Sequence, residues 1–161
     1  MFETKRCIIK NVCTRDAGEI KALYMNKDVR KYLGGVLEED AIQAVIERVF
    51  HSSETLFYWV VREKNTDRFM GTVCLDPHHE GNDLELSYQF LPKWWGKGYA
   101  TEALPFIINY AFDELKLSKL VSETQTANSS SCRLLEKSGM TVERVITRFG
   151  AEQAIYSIKS V

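Results

Sequence analysis

Residues 94–101 form a short glycine-containing segment that precedes an apolar helical pattern. Gly96 and Gly98 allow the backbone to curl so that successive N–H groups point in one direction. Such donors, together with the N-terminus of the following helix, form a site for an anion such as a diphosphate. A tight turn that binds nothing would need the same two glycines, so their spacing leaves both readings open.

Two better-known glycine motifs do not fit this segment. A P-loop needs Ser or Thr after its lysine, and here Lys97 is followed by Gly98. The dinucleotide-binding fingerprint needs a third glycine three residues after the second, where this chain has Thr101. The sequence therefore favours neither of these nucleotide sites.

The histidines and cysteines do not indicate a metal site. His78 and His79 are adjacent in a predicted loop, where neighbouring side chains of an extended chain point apart, so we expect two solvated imidazoles and no metal. The cysteine spacing contains no C-x-x-C pair and resembles no disulfide framework. We expect four reduced thiols in a cytoplasmic protein; they are Cys7, Cys13, Cys74 and Cys132.

The elements that position these residues follow from hydrophobic periodicity. Leu84, Leu86, Tyr88 and Phe90 alternate with more polar residues, which is typical of a half-buried strand. Thr14 is a suitable N-cap for a first helix. The order β-α-α-β-β-β-α-β-α-β-β predicts a mixed sheet with helices on its faces. Strands are predicted over 6–10, 56–61, 69–75, 84–91, 120–124, 141–147 and 154–158, and helices over 15–23, 38–50, 100–115 and 129–137.

Length, composition and charge exclude several classes of protein. A chain of 161 residues is the size of one domain, which we place over 1–161. Its 21 basic and 22 acidic residues give a net charge of −1, which argues against a nucleic-acid-binding surface. The apolar stretch at 103–108 is much shorter than a membrane helix, and the N-terminus has no pattern of a signal peptide.

Residues 95–103 resemble the acetyl-CoA signature of the GNAT N-acetyltransferases, usually written R/Q-x-x-G-x-G/A. In this chain the signature falls on Trp95, Gly98 and Ala100, and Trp95 departs from the consensus Arg or Gln. The chain is most similar to the ribosomal-protein N-terminal acetyltransferases, the RimJ/RimL-like branch. The resemblance covers essentially the whole chain and also rests on 6–10 with 15–17, on 85–88, and on Asn128-x-x-Ser131 followed by 134–140.

The resemblance implies an α/β (α+β) fold in which a mixed, seven-stranded sheet is flanked by about four helices. This sheet is splayed between its fourth and fifth strands, and acetyl-CoA lies in the splay. Asn128 then reaches the pantetheine side, and Lys137 approaches the nucleotide phosphates. The pantetheine pairs with the backbone near Gln89, Phe90 and Leu91, and the diphosphate rests on Gly96, Lys97, Gly98, Tyr99, Ala100 and Thr101.

Acetyl transfer needs a neutral amine and benefits from a proton donor for the departing thiolate. By resemblance, Glu85 is the candidate base, because its strand leads to the thioester. The alternative is a carboxylate that only faces solvent or pairs with a neighbouring strand. Ser131 is the candidate acid, and a capping role in the first turn of its helix is the alternative. Tyr156 on the last strand is a second candidate donor, and otherwise an aromatic residue at the edge of the core.

The resemblance therefore predicts an enzyme that moves an acetyl group from acetyl-CoA to a primary amine by direct attack on the thioester. The amine is a protein or peptide N-terminus or a small molecule. A catalytically silent acyl-CoA-binding sensor or scaffold is the alternative. The implied acceptor groove includes Asp28, Tyr32, Glu152 and the loop at 34–35. We expect no nucleic-acid, membrane or metal partner, and either a monomer or a homodimer.

Overall fold

The computed structural model describes residues 1–51 and 56–161, which form one sheet between two helical layers. Two 3₁₀ turns, Thr14–Asp16 and Pro92–Trp94, precede the first and the fourth helix. The helices are α1 (Ala17–Met25), α2 (Lys27–Arg30), α3 (Glu39–Phe50), α4 (Tyr99–Asp113) and α5 (Ser129–Lys137). The strands are β1 (Phe2–Glu3), β2 (Cys7–Asn11), β3 (Phe57–Glu63), β4 (Phe69–Pro77), β5 (Leu84–Phe90), β6 (Lys119–Gln125), β7 (Thr141–Arg148) and β8 (Ala151–Lys159).

The sheet has the strand order β1-β2-β3-β4-β5-β6-β8-β7. Adjacent strands in this sheet are antiparallel, except for β5 and β6, which are parallel. Within the described residues these two strands pair only at Leu84 with Leu120 and at Glu85 with Val121. Beyond Glu85 they part, and this confirms the predicted splay.

The architecture confirms the predicted mixed α/β fold, but two element counts differ from the expectation. The sheet has eight strands instead of seven, because Phe2 and Glu3 pair with β2. The described residues contain five α-helices instead of about four, because Asn26 caps a short helix by accepting the N–H groups of Asp28 and Val29. Neither a two-residue strand nor a one-turn helix is long enough to show a hydrophobic period.

The start of the first helix also differs from the prediction. Thr14 is the first residue of a 3₁₀ turn and not an N-cap, and α1 begins three residues later at Ala17. The side chain of Asp16 accepts the N–H of Cys13 at 2.9 Å, which is one bond of a capping box around the 3₁₀ turn. Asp16, which the pattern places inside the helix, occupies the N-cap position of α1, but its side chain makes no cap bond to that helix.

Apolar residues on both sides of the sheet form its core. The even-numbered residues of β5 face α4, so Leu86 and Leu104 are fully buried together in one cluster. On the other side, Ile20 and Leu23 of α1 pack with Val60 in a second cluster. In the described part of the chain, no helix is long and apolar enough to cross a membrane.

Candidate active site

The candidate site lies where β5 parts from β6, at Glu85. One oxygen of its carboxyl group accepts the backbone N–H of Glu123 on β6, at 3.2 Å. Burial raises the pKa of Glu85 above its ordinary value, and the nearby His78 is the largest opposing influence. A carboxyl group with a raised proton affinity at the opening of a cleft is suited to accept a proton.

His78 and His79 are held beside Glu85 by one carboxylate, and the prediction for them is wrong in two respects. His78 is buried, with only 4% of its surface exposed. Both imidazoles point to the same atom, because their Nε2 atoms lie 2.8 and 2.7 Å from Oε1 of Glu123. The loop after β4 turns back here, since the N–H of His78 donates to Asp83 O at 2.9 Å, and an extended chain is therefore the wrong reference.

Glu123 was not identified from the sequence, although it receives more hydrogen bonds than Glu85. Its second oxygen accepts Nη1 of Arg148 at 3.2 Å. Burial favours its neutral form, but the hydrogen bonds from His79, His78 and Arg148 outweigh burial and lower its pKa below the ordinary value. The partners of Glu123 come from the loop between β4 and β5 and from β7. No sequence motif includes both of these segments, so the sequence carried no signal for this residue.

Ser131 is paired with Tyr88, which lies three residues after Glu85 on β5. Tyr88 Oη and Ser131 Oγ are 2.6 Å apart in a hydrogen bond that links β5 to the first turn of α5. Burial raises the pKa of Tyr88 to about 12, so its phenol remains protonated at neutral pH. The alternating pattern of β5 correctly indicated that Tyr88 is half-buried, but it carried no information on its hydroxyl.

Tyr156, the second candidate donor, has its hydroxyl on a different partner. Its ring is 2% exposed and packs with Leu135 and Met140. The hydroxyl donates to Glu136 Oε1 at 3.3 Å, and burial raises its pKa. This arrangement places Tyr156 in the packing between β8 and α5.

The glycine segment has the backbone shape that a diphosphate site requires. Gly96 and Gly98 have φ values of +71° and +81°, which side chains rarely tolerate. The first α-type hydrogen bond of α4 runs from the Glu102 N–H to the Gly98 carbonyl. No described side chain caps this helix start, so the N–H groups of Tyr99, Ala100 and Thr101 are left for another acceptor.

Arg6 on the N-terminal side of β2 holds the glycine segment in place. Its Nη1 donates to the Lys97 carbonyl at 3.0 Å, and its guanidinium lies 4.1 Å from the centre of the Tyr99 ring. Glu102 accepts Arg6 Nε at 2.8 Å and also bonds to Thr4. The hydrogen bond to Glu102 raises the pKa of Arg6. Burial favours the neutral form of Glu102, but hydrogen bonds from Thr4 and Arg6 outweigh burial and lower the pKa of Glu102.

The other predicted cofactor residues have defined local partners. The indole of Trp95 donates to the Phe90 carbonyl at 2.7 Å. The N–H of Leu91 donates to Met70 O at 2.9 Å within the sheet, so this amide is already bonded. Asn128 Oδ1 accepts the Ser131 N–H at 3.2 Å and so caps α5. Lys137 is exposed at the C-terminal end of α5.

The predicted acceptor side is organised by Arg30, which sequence analysis did not identify. Its guanidinium donates to the carbonyls of Leu33 and Gly35 and to Gln89 Oε1 on β5, at 2.7, 3.0 and 3.3 Å. Through these bonds the 34–35 loop is fastened to the strand that carries Glu85. Of the three side chains predicted for this groove, Asp28 and Glu152 are exposed and Tyr32 is half-buried.

A family model and curated relatives match most of this chain. Residues 6–141 match the family model described as an acetyltransferase (GNAT) domain. The uncharacterized N-acetyltransferase YoaA of Bacillus subtilis is 28% identical over 158 residues, which cover 92% of this chain and 87% of YoaA.

Two solved structures share the fold. Spermidine N-acetyltransferase from Vibrio cholerae, in complex with CoA and spermine, superposes with a TM-score of 0.81 at 18% identity, over 95% of both chains. Ribosomal-protein-S5-alanine acetyltransferase from Vibrio fischeri superposes with a TM-score of 0.75 at 18% identity, over 98% of this chain and 95% of the other. At this identity the superpositions show a shared fold only.

Proposed function

Because this chain belongs to the GNAT acetyltransferase family, we propose that it transfers the acetyl group of acetyl-CoA to a primary amine. One observation carries the proposal: β5 and β6 separate after Glu85, and polar groups of two kinds lie along the gap. Glu85 lies on one side, with a raised pKa, and the Tyr88–Ser131 hydroxyl pair lies farther along the gap. A base and a proton donor along one cleft are what aminolysis of a thioester requires.

We place the cofactor with its diphosphate at the start of α4. The unbonded N–H groups of Tyr99, Ala100 and Thr101, with Gly96, Lys97 and Gly98, supply donors and the positive end of the helix dipole. The pantetheine then runs along β5 near Gln89, Phe90 and Leu91, with Asn128 on its other side. The Leu91 amide already donates to Met70, whereas the Phe90 carbonyl, which accepts the Trp95 indole, keeps a second lone pair for this pairing. Lys137 is the candidate partner of the nucleotide phosphates.

The reaction balances with the residues that the cleft offers. Glu85 accepts a proton from the attacking amine, whose lone pair forms the bond to the acetyl carbon. As the tetrahedral intermediate collapses, the C–S bond breaks and the electron pair goes to sulfur. The Tyr88–Ser131 pair donates a hydrogen bond to this thiolate and passes it a proton as water delivers the proton of Glu85 to the pair, so that no phenolate forms. A phenol with a pKa of about 12 holds its proton until the thiolate forms.

For the acceptor, we propose an N-terminal amine of a protein or peptide, as in the RimJ/RimL-like branch, or a small amine. Similarity of the sequence motifs and the fold shared with the S5-alanine acetyltransferase support the branch. The spermidine N-acetyltransferase has the same fold and represents the small-amine class. We further propose one catalytic domain over 1–161, with reduced thiols and a cytoplasmic location; all four cysteines are free thiols in the structure.

Two measurements on the purified protein test this function. Acetyl-CoA should raise the melting temperature, because a ligand that binds only the folded state stabilises it by about 2.7 kcal/mol at 100 times its Kd. ATP and NAD, which lack pantetheine, should have much smaller effects. Release of CoA thiol should then require an amine from a panel of peptides, polyamines and amino acids. Binding of CoA without thiol release for any amine would instead indicate the acyl-CoA-binding sensor or scaffold.

A further inference from the structure

A cluster of two imidazoles and a carboxylate lies beside the proposed catalytic residues and has no part in the reaction derived above. The candidate ligand atoms of His78, His79 and Glu123 all lie within 4.8 Å of one another. The side chains of His78 and Glu123 are 2% and 6% exposed, whereas that of His79 is 28% exposed. The cluster is thus a nearly closed site with one side open to solvent.

We propose that His78, His79 and Glu123 bind a divalent transition-metal ion of the zinc class. The ligands are Nε2 of each imidazole and Oε1 of the carboxylate, and water completes the shell on the side of His79. Two imidazole nitrogens with one carboxylate oxygen are a donor set that zinc accepts. Imidazole ligands favour zinc, cobalt and nickel over magnesium and calcium, which prefer oxygen.

The distances within the cluster permit this ion after a small expansion. The two Nε2 atoms are now at hydrogen-bond distance from Oε1, 2.8 and 2.7 Å. Around a tetrahedral ion with bonds of about 2.0–2.1 Å, ligand atoms are about 3.3 Å apart. Both Nε2–Oε1 distances must therefore lengthen by about half an ångström. His79 can move because its side chain faces solvent, whereas the buried pair of His78 and Glu123 must separate by a small shift of the loop against β6.

The surroundings of the cluster already orient two ligands as a metal site requires. Nδ1 of His78 lies 3.1 Å from the Glu80 carbonyl and 3.2 Å from the Glu80 N–H, so it can donate to the first or accept from the second. Binding of the ion selects the tautomer in which Nδ1 donates to the carbonyl and Nε2 has a free lone pair. Arg148 holds Oε2 of Glu123 at 3.2 Å, which leaves Oε1 toward the imidazoles. Such outer partners fix the tautomer of a ligating histidine and the orientation of a ligating carboxylate.

A bound ion would join the loop between β4 and β5 to β6. His78 and His79 follow β4 directly, and Glu123 belongs to β6, so the ion closes the side of the sheet where β5 pairs with β6 for only two residues. We therefore expect the ion to raise the melting temperature. This site is independent of the proposed function, because binding of the metal requires neither acetyl-CoA nor an amine.

The test is titration of the EDTA-treated, dialysed protein with Co²⁺ and Zn²⁺, followed by absorption spectroscopy and calorimetry. We expect one equivalent of Co²⁺ to produce visible d–d bands of a nitrogen- and oxygen-ligated ion, and Zn²⁺ to displace it. Mg²⁺ and Ca²⁺ should produce no such heat. His79→Ala should weaken binding by more than about tenfold, as loss of a ligand exceeds the usual effect of losing an outer partner.

His51→Ala is the matched control, because His51 is exposed and lies outside the cluster. It should leave the affinity for Co²⁺ unchanged. His79 is at the surface, so its variant should fold, and circular dichroism in EDTA checks this. Glu123→Gln provides a second variant that lacks the charge. If Co²⁺ gives no bands, or binds the wild type and His79→Ala alike, the cluster is a hydrogen-bonded group only and the proposal is overturned.

Discussion

The side chains along the splay differ in protonation because they differ in surroundings. Glu85 and Glu123 are both carboxyl groups near the same two histidines. Glu85 has one backbone donor and burial dominates, so its pKa rises, whereas hydrogen bonds from imidazoles and Arg148 lower that of Glu123. This division leaves Glu85 as the carboxyl group with the higher proton affinity. It is the reason for assigning the proton transfer to Glu85 and not to its neighbour.

Glu85→Gln preserves the shape of the side chain and removes its ability to accept a proton. We expect kcat/KM for acetyl transfer to fall by about 10²–10⁴, with the affinity for CoA changed by no more than a few-fold. The loss should be greater for a lysine-like amine, with a pKa of about 10.4, than for an α-amine near 8. It should diminish as the pH rises, because more of the amine is then neutral without help.

Glu114→Gln is the matched control for this measurement, since Glu114 is exposed at the C-terminal end of α4. It should retain the wild-type rate. Full activity of Glu85→Gln across neutral pH with a good substrate would show that the base is another group, such as a chain of water molecules.

Tyr88→Phe and Ser131→Ala each remove one hydroxyl of the 2.6 Å pair. We expect each variant to lower kcat, and the double variant to lose little more than either single one, because the hydroxyls act as a unit. The loss should be smaller with an activated acyl donor whose leaving group needs no proton. Steady-state kinetics with both donors provides the measurement. A larger loss in Tyr156→Phe would instead assign the acid to β8.

At the scale of elements, the glycine segment and the first helix have their conformations set by residues from distant strands. Arg6 on one side of β2 holds the carbonyl of Lys97, and Arg62 on β3 holds Asp16 at the start of α1 at 2.5 Å. Glu19 accepts the same nitrogen of Arg62 at 2.7 Å. Both helix starts, α1 and α4, are therefore fastened to the sheet by an arginine.

Gly98→Val should weaken CoA binding while the protein remains folded. A β-branched residue is strained at φ +81°, and its Cβ would lie 3.4 Å from Arg6 Nη2, where the backbone must also approach the diphosphate. We expect the affinity to fall at least about tenfold, or about 1.4 kcal/mol, in calorimetric titration.

Gly150→Val is the control for backbone strain alone. Gly150 also has a positive φ, +71°, and a Cβ there would meet nothing within 4 Å. Its variant should bind CoA like the wild type. Equal CoA affinity of the folded Gly98→Val protein would show that this segment is only a turn.

Asp16→Asn should lower the free energy of unfolding and make that free energy less dependent on pH in acid. Although burial opposes ionisation, bonds from Cys13 and Arg62 lower the pKa of Asp16. Its contribution is therefore present above the unfolded pKa of about 3.9 and lost as the pH falls through the lower, folded value. At neutral pH we expect a loss of about 3 kcal/mol, the usual cost of breaking a buried ion pair.

Urea denaturation at pH 7 and at several values below pH 4 measures this effect. The wild type should lose stability in acid more steeply than Asp16→Asn. Asp113→Asn, at an exposed position at the end of α4, should behave like the wild type. Parallel acid profiles of wild type and Asp16→Asn would contradict the assigned role.

At the scale of the whole molecule, the sheet consists of two well-paired parts joined at a narrow contact. β1 to β5 are paired along their lengths, as are β6, β8 and β7, whereas β5 and β6 share two residue pairs. The helices α4 and α5, which begin at the glycine segment and at Asn128, lie against this contact. A ligand in the splay would therefore connect the two parts of the sheet.

Hydrogen exchange measures that connection. CoA should slow amide exchange in residues 86–90 of β5 and in the first turns of α4 and α5. The amides of β2 and β3 lie away from the splay and should be unaffected, which provides an internal control. Protection spread equally over the sheet, or equal protection by ATP, would contradict binding of pantetheine between the strands.

The local patterns of the sequence determined the longer elements of this protein and the shape of its glycine segment, but not β1 or α2. The alternation in β5, the positive-φ positions at Gly96 and Gly98 and the cap at Asn128 involve residues close together in the chain, where periodicity and turn chemistry act. The motifs at 95–103 and 128–140 also predicted the family and the splayed sheet.

Only the tertiary structure decided which polar groups meet in the splay. The pairs Tyr88–Ser131 and His78–Glu123 join residues 43 and 45 positions apart, and the Arg6–Glu102 pair joins residues 96 apart. Such contacts depend on the order and register of the strands, and the hydrophobic periodicity of a single segment carries no information on either. The protonation of a side chain depends in turn on these contacts and on burial, so the Tyr88–Ser131 pair, the raised pKa of Glu85 and the histidine cluster emerged only when the sheet was assembled.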